Sequence, residues 1–93
     1  MPLTFEWDTT KASANLRKHG VSFEEAATVF ADESSLTIPD LDHSQVENRF
    51  VLLGMSYRGK MLVVVHTERG DSIRIISARP ASRRERQQYE EAN

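Results

Sequence analysis

The run Met61-Leu62-Val63-Val64-Val65-His66 constrains this chain more than any other stretch, because every position before the histidine is apolar. Side chains of a strand alternate between two faces, so an unbroken apolar run is stable only where both faces are covered. Such a run belongs at the centre of a sheet. On either side of it, the residues from Arg49 to Ser56 and from Ser72 to Arg79 are again rich in β-branched and aliphatic types, which suit a pleated, packed surface. Tyr57-Arg58-Gly59-Lys60 and Glu68-Arg69-Gly70-Asp71 separate the runs, and each break holds a glycine that takes positive φ without penalty. Three antiparallel strands joined by tight hairpins are expected, with Met61 to His66 in the middle.

A chain of 93 residues suffices for one modest core, so a single domain over 1–93 is expected. Cysteine is absent, which excludes disulfides, thiolate chemistry and cysteine zinc sites. The N-terminal Met-Pro-Leu-Thr-Phe-Glu-Trp-Asp has no basic run ahead of an apolar one, and no apolar segment reaches bilayer-spanning length. A soluble, cytoplasmic protein without membrane contact is the expectation. The formal charge of −2 conceals a split. Up to Asn48, three Lys/Arg stand against nine Asp/Glu, and from Arg49 onward nine stand against five, so the halves carry −6 and +4. Cations clustered on the strands and the last helix suggest a surface for a polyanion, with an acidic surface elsewhere.

Thr4-Phe5-Glu6-Trp7 alternates as a short strand does, and Asp8 is placed to cap a helix from about Thr9 to His19 that stops at Gly20. Ala12 and Leu16, one turn apart, are expected to face the sheet. Lys11, Asn15, Lys18 and His19 share a polar, partly cationic stripe whose plainest reading is a solvated face. Ser22-Phe23-Glu24-Glu25 has the spacing of a capping box that opens a second helix, and Phe23, Ala26, Ala27 and Phe30 form its core-facing stripe, which ends near Ala31. Ser35 to Ile38 reads as a further strand stopped by Pro39. Pro39 to Ser44 is the longest loop. Asp40, Asp42 and His43 in it are potential metal ligands, but turn aspartates ordinarily bond the backbone two residues on, and no matching second cluster accompanies them. Ser82-Arg83-Arg84-Glu85 is a second capping box. The helix it opens, about Arg83 to Glu91, has almost no apolar stripe and needs the sheet edge or a partner to hold it.

The order of elements specifies an α+β fold: an antiparallel sheet with two N-terminal helices on one face and a short C-terminal helix, the other face being left for function. His66 stands at the end of the middle strand, with Arg74 nearly opposite across the Glu68 to Asp71 turn. Whether the two share a face depends on loop length, because a one-residue slip sends a side chain to the other side. Cleavage of RNA without a metal needs a base for the 2′-hydroxyl, cations for the pentacovalent phosphate and an acid for the leaving oxygen. His66, Arg74, Arg79, Tyr89, Lys11 and His19 have those capacities, and no catalytic pair of carboxylates stands out. Arg58, Lys60, Arg69 and Arg74, on and around the hairpins, are the expected phosphate contacts.

Phe5-Glu6-Trp7-Asp8, Lys11, Asn15, Lys18-His19-Gly20-Val21-Ser22-Phe23-Glu24-Glu25-Ala26, Arg74-Ile75-Ile76-Ser77-Ala78-Arg79, Arg83-Arg84-Glu85-Arg86 and Tyr89 together resemble the BrnT toxins of bacterial type II toxin–antitoxin pairs. The likeness spans nearly the whole chain, and the segments KHGVSFEEA and RIISAR with its following ERxxY carry its specificity. The resemblance implies a compact RelE-like ribonuclease that degrades RNA and inhibits translation with no metal or other cofactor. It also implies a BrnA-like antitoxin whose ribbon-helix-helix half binds the operon's own DNA, in a complex with two copies of each protein. Two other readings of the residues stand beside it. One is a non-catalytic protein-binding module acting as co-repressor with a DNA-binding partner; the other is a metal-dependent hydrolase built on Asp40, Asp42 and His43.

Overall fold

The computed structural model describes residues 3–40 and 48–93. Its elements follow in the order β1 (Thr4–Glu6), α1 (Thr9–His19), α2 (Phe23–Thr28), a 3-10 turn (Val29–Ala31), β2 (Leu36–Pro39), β3 (Arg49–Met55), β4 (Met61–Arg69), β5 (Ser72–Pro80) and α3 (Arg83–Ala92). The strands form one sheet in the order β1-β5-β4-β3-β2. The apolar run thus lies centrally, and Met61, Leu62, Val63 and Val64 are each at most 4% exposed, as double cover requires. β4 does not stop at His66. It continues to Arg69, because the turn into β5 is only Gly70-Asp71, with Gly70 at φ 60, the backbone that a two-residue hairpin demands.

β2, β3, β4 and β5 pair antiparallel in sequence. β1 departs from the all-antiparallel expectation: it runs parallel to β5, with Phe5 beside Ile73 and Glu6 beside Arg74. A parallel neighbour needs a long connection, and the two helices that follow β1 provide it. A further irregularity lies between β4 and β5. Val65 pairs with Ser77 but His66 pairs with Ile75, which leaves Ile76 as the extra residue of a β-bulge.

α1 and α2 cover one face of the sheet. Val21, Phe23, Ala26 and Val29 pack on Leu52, Leu62, Val64, Ile73, Ile75 and Ala78, with Phe5, Trp7, Ala12, Ala27 and Phe30 at the margin. Asp8 caps α1 by accepting the Lys11 N–H at 3.0 Å, and Gly20 ends it at φ 71. Leu16, however, is 50% exposed, and the buried residue of α1 is Asn15. The reason is backbone satisfaction. The Asn15 amide donates to the Val21 and Ala78 carbonyls at 3.0 and 2.8 Å, and its oxygen accepts the Ala78 N–H at 3.2 Å. A leucine there would leave all three groups bare. Helix α2 departs from expectation in a similar way. Ser22 Oγ accepts the Glu25 N–H, but the Glu25 carboxylate turns inward and accepts from Ser56 Oγ at 2.7 Å, so the box has only one half. The box at Ser82 and Glu85 is complete.

The opposite face carries a smaller cluster of Leu53, Met61 and Val63, joined by Leu36, Val51, Met55, Ala81 and Tyr89. Helix α3 lies on this side, and none of its residues is buried. Among the described residues no helix is long and apolar enough to cross a membrane.

Candidate functional site

Five positions separate Arg74 from Arg79, so simple alternation would send them to opposite faces. The bulge at Ile76 resets the alternation. Arg74 pairs with Thr67 and Arg79 with Val63, and both arginines therefore belong to the face away from α1 and α2. They stand about 13 Å apart along β4, at about 3.3 Å per residue.

Around Arg74 the ends of the strands enclose a cavity of about 450 Å³ lined by Glu6, Asn48, Thr67, Glu68, Arg69, Ser72 and Arg74. Arg74 Nη1 is 3.6 Å from Glu6 Oε1 in a half-exposed pair, a contact that contributes little and is easily exchanged. Asn48, at φ 59, turns its carbonyl to the Glu68 N–H at 3.0 Å. Glu68 Oε2 in turn lies 2.9 Å from His66 Nε2.

His66 is not the strand-end side chain that the sequence suggests. It is fully buried, edge-on to Phe30 at 4.8 Å and tilted against Phe50 at 5.9 Å. The pairing assigns its proton to Nε2, which donates to Glu68, while Nδ1 has no partner among the described residues. In that tautomer Nδ1 is a lone pair and not a stranded N–H, the cheaper group to leave dry. A buried imidazole thus orients a carboxylate that is itself 42% exposed. A search for paired carboxylates passes over Glu68. The signal that reveals it is the i, i+2 spacing from His66, which puts both on one side of a strand.

Further along the open face, Arg79 donates through Nη1 and Nη2 to the two oxygens of Glu85, each at 2.8 Å. This fork holds the Glu85 carboxyl down to about 2 and raises the Arg79 guanidinium. Glu85 also accepts the Ser82 N–H at 2.8 Å, so one carboxylate both caps α3 and clamps it to β5. The Tyr89 hydroxyl donates to Asp32 Oδ2 at 2.7 Å, and Asp32 accepts the Met55 and Ser34 N–H groups as well. Burial works to raise the Asp32 carboxyl, but these bonds outweigh it and leave it lowered, while the bond to Asp32 raises Tyr89. Asn93 donates to the Ser34 carbonyl at 3.2 Å. Side-chain tethers and a margin of apolar contact therefore hold α3.

The six residues with catalytic capacity do not converge on one point. Arg74, Arg79 and Tyr89 share the open face, and His66 lies inside the core. Lys11 and His19 belong to α1, beyond the sheet. Lys11 starts that helix, where Asp8 lies in the field of both Lys11 and Arg74; His19 is about 12 Å further along the axis. Arg58 and Lys60 are exposed at the β3–β4 turn and Arg69 at the β4–β5 turn, at opposite ends of β4 and about 26 Å apart. Asp42 and His43 lie outside the described residues, and Asp40 accepts Arg49 Nε at 2.8 Å. Among the described residues no three His, Asp or Glu side chains gather as metal ligands do.

A sheet covered by two helices on one side, with arginines and a tethered terminal helix on the other, defines the class: a small α+β domain with one covered and one open sheet face. The crystal structure of the Brucella abortus ribonuclease toxin BrnT shares this fold at a TM-score of 0.68 and 23% identity, covering 87% of this chain and 99% of that one. The sequence model of the ribonuclease toxin BrnT of type II toxin–antitoxin systems matches residues 7–85. The chain belongs to the BrnT family and is a ribonuclease toxin of that system, which implies an RNA substrate and an antitoxin partner. No curated protein matches it.

Proposed function

We propose that this chain, as a single domain over 1–93, is a cytoplasmic endoribonuclease that cuts RNA in the cavity at the strand ends, at the border of the open sheet face, without a metal and so inhibits translation. A BrnA-like ribbon-helix-helix antitoxin silences it by covering that face, two toxins with two antitoxins, and operator DNA is reached only through the antitoxin. The observation that carries the catalytic part is the strand-end cavity that Glu68, oriented by buried His66 on the helix-covered side of β4, lines together with Arg69 and Arg74 from the open side. Glu68 takes the proton of the 2′-hydroxyl, whose oxygen attacks the adjacent phosphorus. Arg74 and Arg69 hold the non-bridging oxygens as negative charge builds on them. The bond to the 5′-oxygen breaks, that oxygen takes a proton from solvent at the open face, and a 2′,3′-cyclic phosphate is left. Arg79 and Tyr89 position the neighbouring nucleotide, and Lys11 adds positive field at the β1 edge. His66 acts through Glu68 as a positioning residue, and His19 is too far along α1 to join the cavity.

Purified protein incubated with RNA, with and without EDTA, tests this directly. Cleavage persists in chelator, Glu68→Gln and Arg74→Ala lower its rate by about a hundred- to ten-thousand-fold, the usual loss for one acid–base or charge-stabilising group, and the thermal midpoints stay near wild type. Cleavage that stops in EDTA favours the metal-dependent hydrolase instead. Normal cutting by a folded Glu68→Gln variant puts the base elsewhere.

A further inference from the structure

The cleavage reading leaves the β3–β4 turn unused, yet Tyr57 there is 74% exposed, more than any other large hydrophobic side chain among the described residues. Exposed Arg58 and Lys60 follow it in the same turn. Exposure alone means little, since single apolar side chains are common on surfaces. The way this ring is presented means more. Ser56, 5% exposed, donates from Oγ to the buried Glu25 carboxylate at 2.7 Å and accepts the Arg58 and Lys60 N–H groups at 3.2 and 3.3 Å. The Ser56 N–H bonds Lys60 O at 2.8 Å, and Gly59, at φ 76, closes the turn onto Ser56 O at 2.9 Å. The Tyr57 N–H itself donates to Thr28 Oγ1 at 3.0 Å. The turn is thus fastened to α2 at two points, one of them a buried carboxylate. A tyrosine on such a frame has little freedom left to lose when something binds its ring. Beside it runs a groove of about 320 Å³ lined by Thr28, Ala31, Asp32, Met55, Ser56 and Tyr57.

We propose that the β3–β4 turn is a stacking platform for an unpaired RNA base. The Tyr57 ring takes the face of the base, Arg58 and Lys60 take the phosphates on either side, and the groove receives the sugar. The proposal rests on the ribonuclease reading and deepens it, for the substrate is then single-stranded at a nucleotide about 26 Å, the length of β4, from the cut. Charge and ring together select that ligand. Two cations alone hold a duplex as readily as a single strand, because both expose phosphates. An exposed ring beside them favours the single strand, whose base faces are free.

The test uses the whole chain with a fluorescein-labelled, 2′-O-methylated RNA of about 12 nucleotides, within the usual range of single-strand site sizes, which binds without being cut, and with its duplex. Tyr57→Ala weakens binding of the single strand by about 5- to 150-fold, the loss typical of one base–aromatic stack, and leaves the duplex near wild type; Tyr57→Phe binds both as wild type does. Arg58→Ala weakens both forms and lowers the slope of log affinity against log salt by about 0.7 on the single strand, while Tyr57→Ala leaves that slope unchanged. The backbone bonds of the turn do not involve the ring, so the thermal midpoint of Tyr57→Ala stays at the wild-type value. Equal single-strand affinity of wild type and Tyr57→Ala overturns the platform, and so do equal losses on both forms or failure of Tyr57→Phe to bind. Loss of antitoxin binding with intact RNA binding overturns it too and makes the turn a protein-docking surface. A wild-type chain that neither binds nor cuts RNA sinks the ribonuclease reading itself, whereas one that cuts RNA while Tyr57→Ala binds as tightly sinks the platform alone.

Discussion

On the face beneath α1 and α2, Phe23, Leu62, Val64 and Ala78 are wholly buried, and of the polar residues among them Asn15 and Glu25 bond inward while His66 bonds the half-exposed Glu68. On the opposite face α3 has no buried residue and hangs on Arg79–Glu85, Tyr89–Asp32 and Asn93–Ser34. One side is held by loss of apolar surface to water, which no ligand can take over. Helix α3 on the other is held largely by ionic and polar contacts at partial exposure, each worth little net and each replaceable by a phosphate or a partner's side chain. Contacts of the second kind suit a surface that must release and rebind. The same division sets where the molecule opens first, since elements with few buried apolar contacts exchange their amides through local openings.

The contrast is broken most easily at its strong end. Phe23→Ala should cost about 3–5 kcal/mol, the range for emptying a wholly buried aromatic site, measured by urea denaturation; a loss near 1 kcal/mol would mean that the covered face is no better held than the open one. Asn15→Ala should cost about 2–3 kcal/mol by the same measurement, because Val21 and Ala78 keep buried backbone groups with no partner, and Asn15→Leu should not restore it. Tyr89→Phe, which removes only the hydroxyl bound to Asp32, should cost about 1 kcal/mol and speed amide exchange in α3 while that in β4 is unchanged. Uniform acceleration in both elements would show that α3 is not a separable unit. Antitoxin binding should slow α3 exchange again. The smallest effect concerns pH. Glu85 sits at about 2 against an ordinary 4.5, so its contribution is full above 4.5 and fades as pH falls toward 2. Glu85→Gln should flatten the dependence of thermal midpoint on pH within that window, and above it should change stability by less than about 1 kcal/mol, as a part-exposed pair allows.

Much of the covered face was legible from periodicity alone. The Met61 run, the Phe23, Ala26, Ala27, Phe30 stripe and the caps at Asp8, Gly20 and Ser82 depend on neighbours in sequence, and a local pattern records them. Asn15, Glu25 and His66 carry the local pattern of a wet-face residue, a capping carboxylate and a strand end, whereas their partners are Ala78, Ser56 and Phe30 with Phe50, all brought there by the fold. The parallel pairing of β1 was hidden for the same reason. Glu68 escaped notice because a charged residue near a hairpin normally belongs to solvent, and only burial of His66 two positions earlier gives it a fixed orientation.

Ile76 also governs how this surface can be inherited. Loss of the bulge with all five steps kept would restore an unbroken ladder and carry one arginine, with everything beyond it, to the helix-covered side, whereas loss of the bulge together with one residue would leave both on the open face. Such a change barely alters composition, charge or length, so it would pass unnoticed in any tally of residues. A descendant keeps both guanidinium groups on one surface by pairing an odd interval with a bulge or an even interval with none, and that match, more than either arginine alone, is the trait on which selection for this face can act.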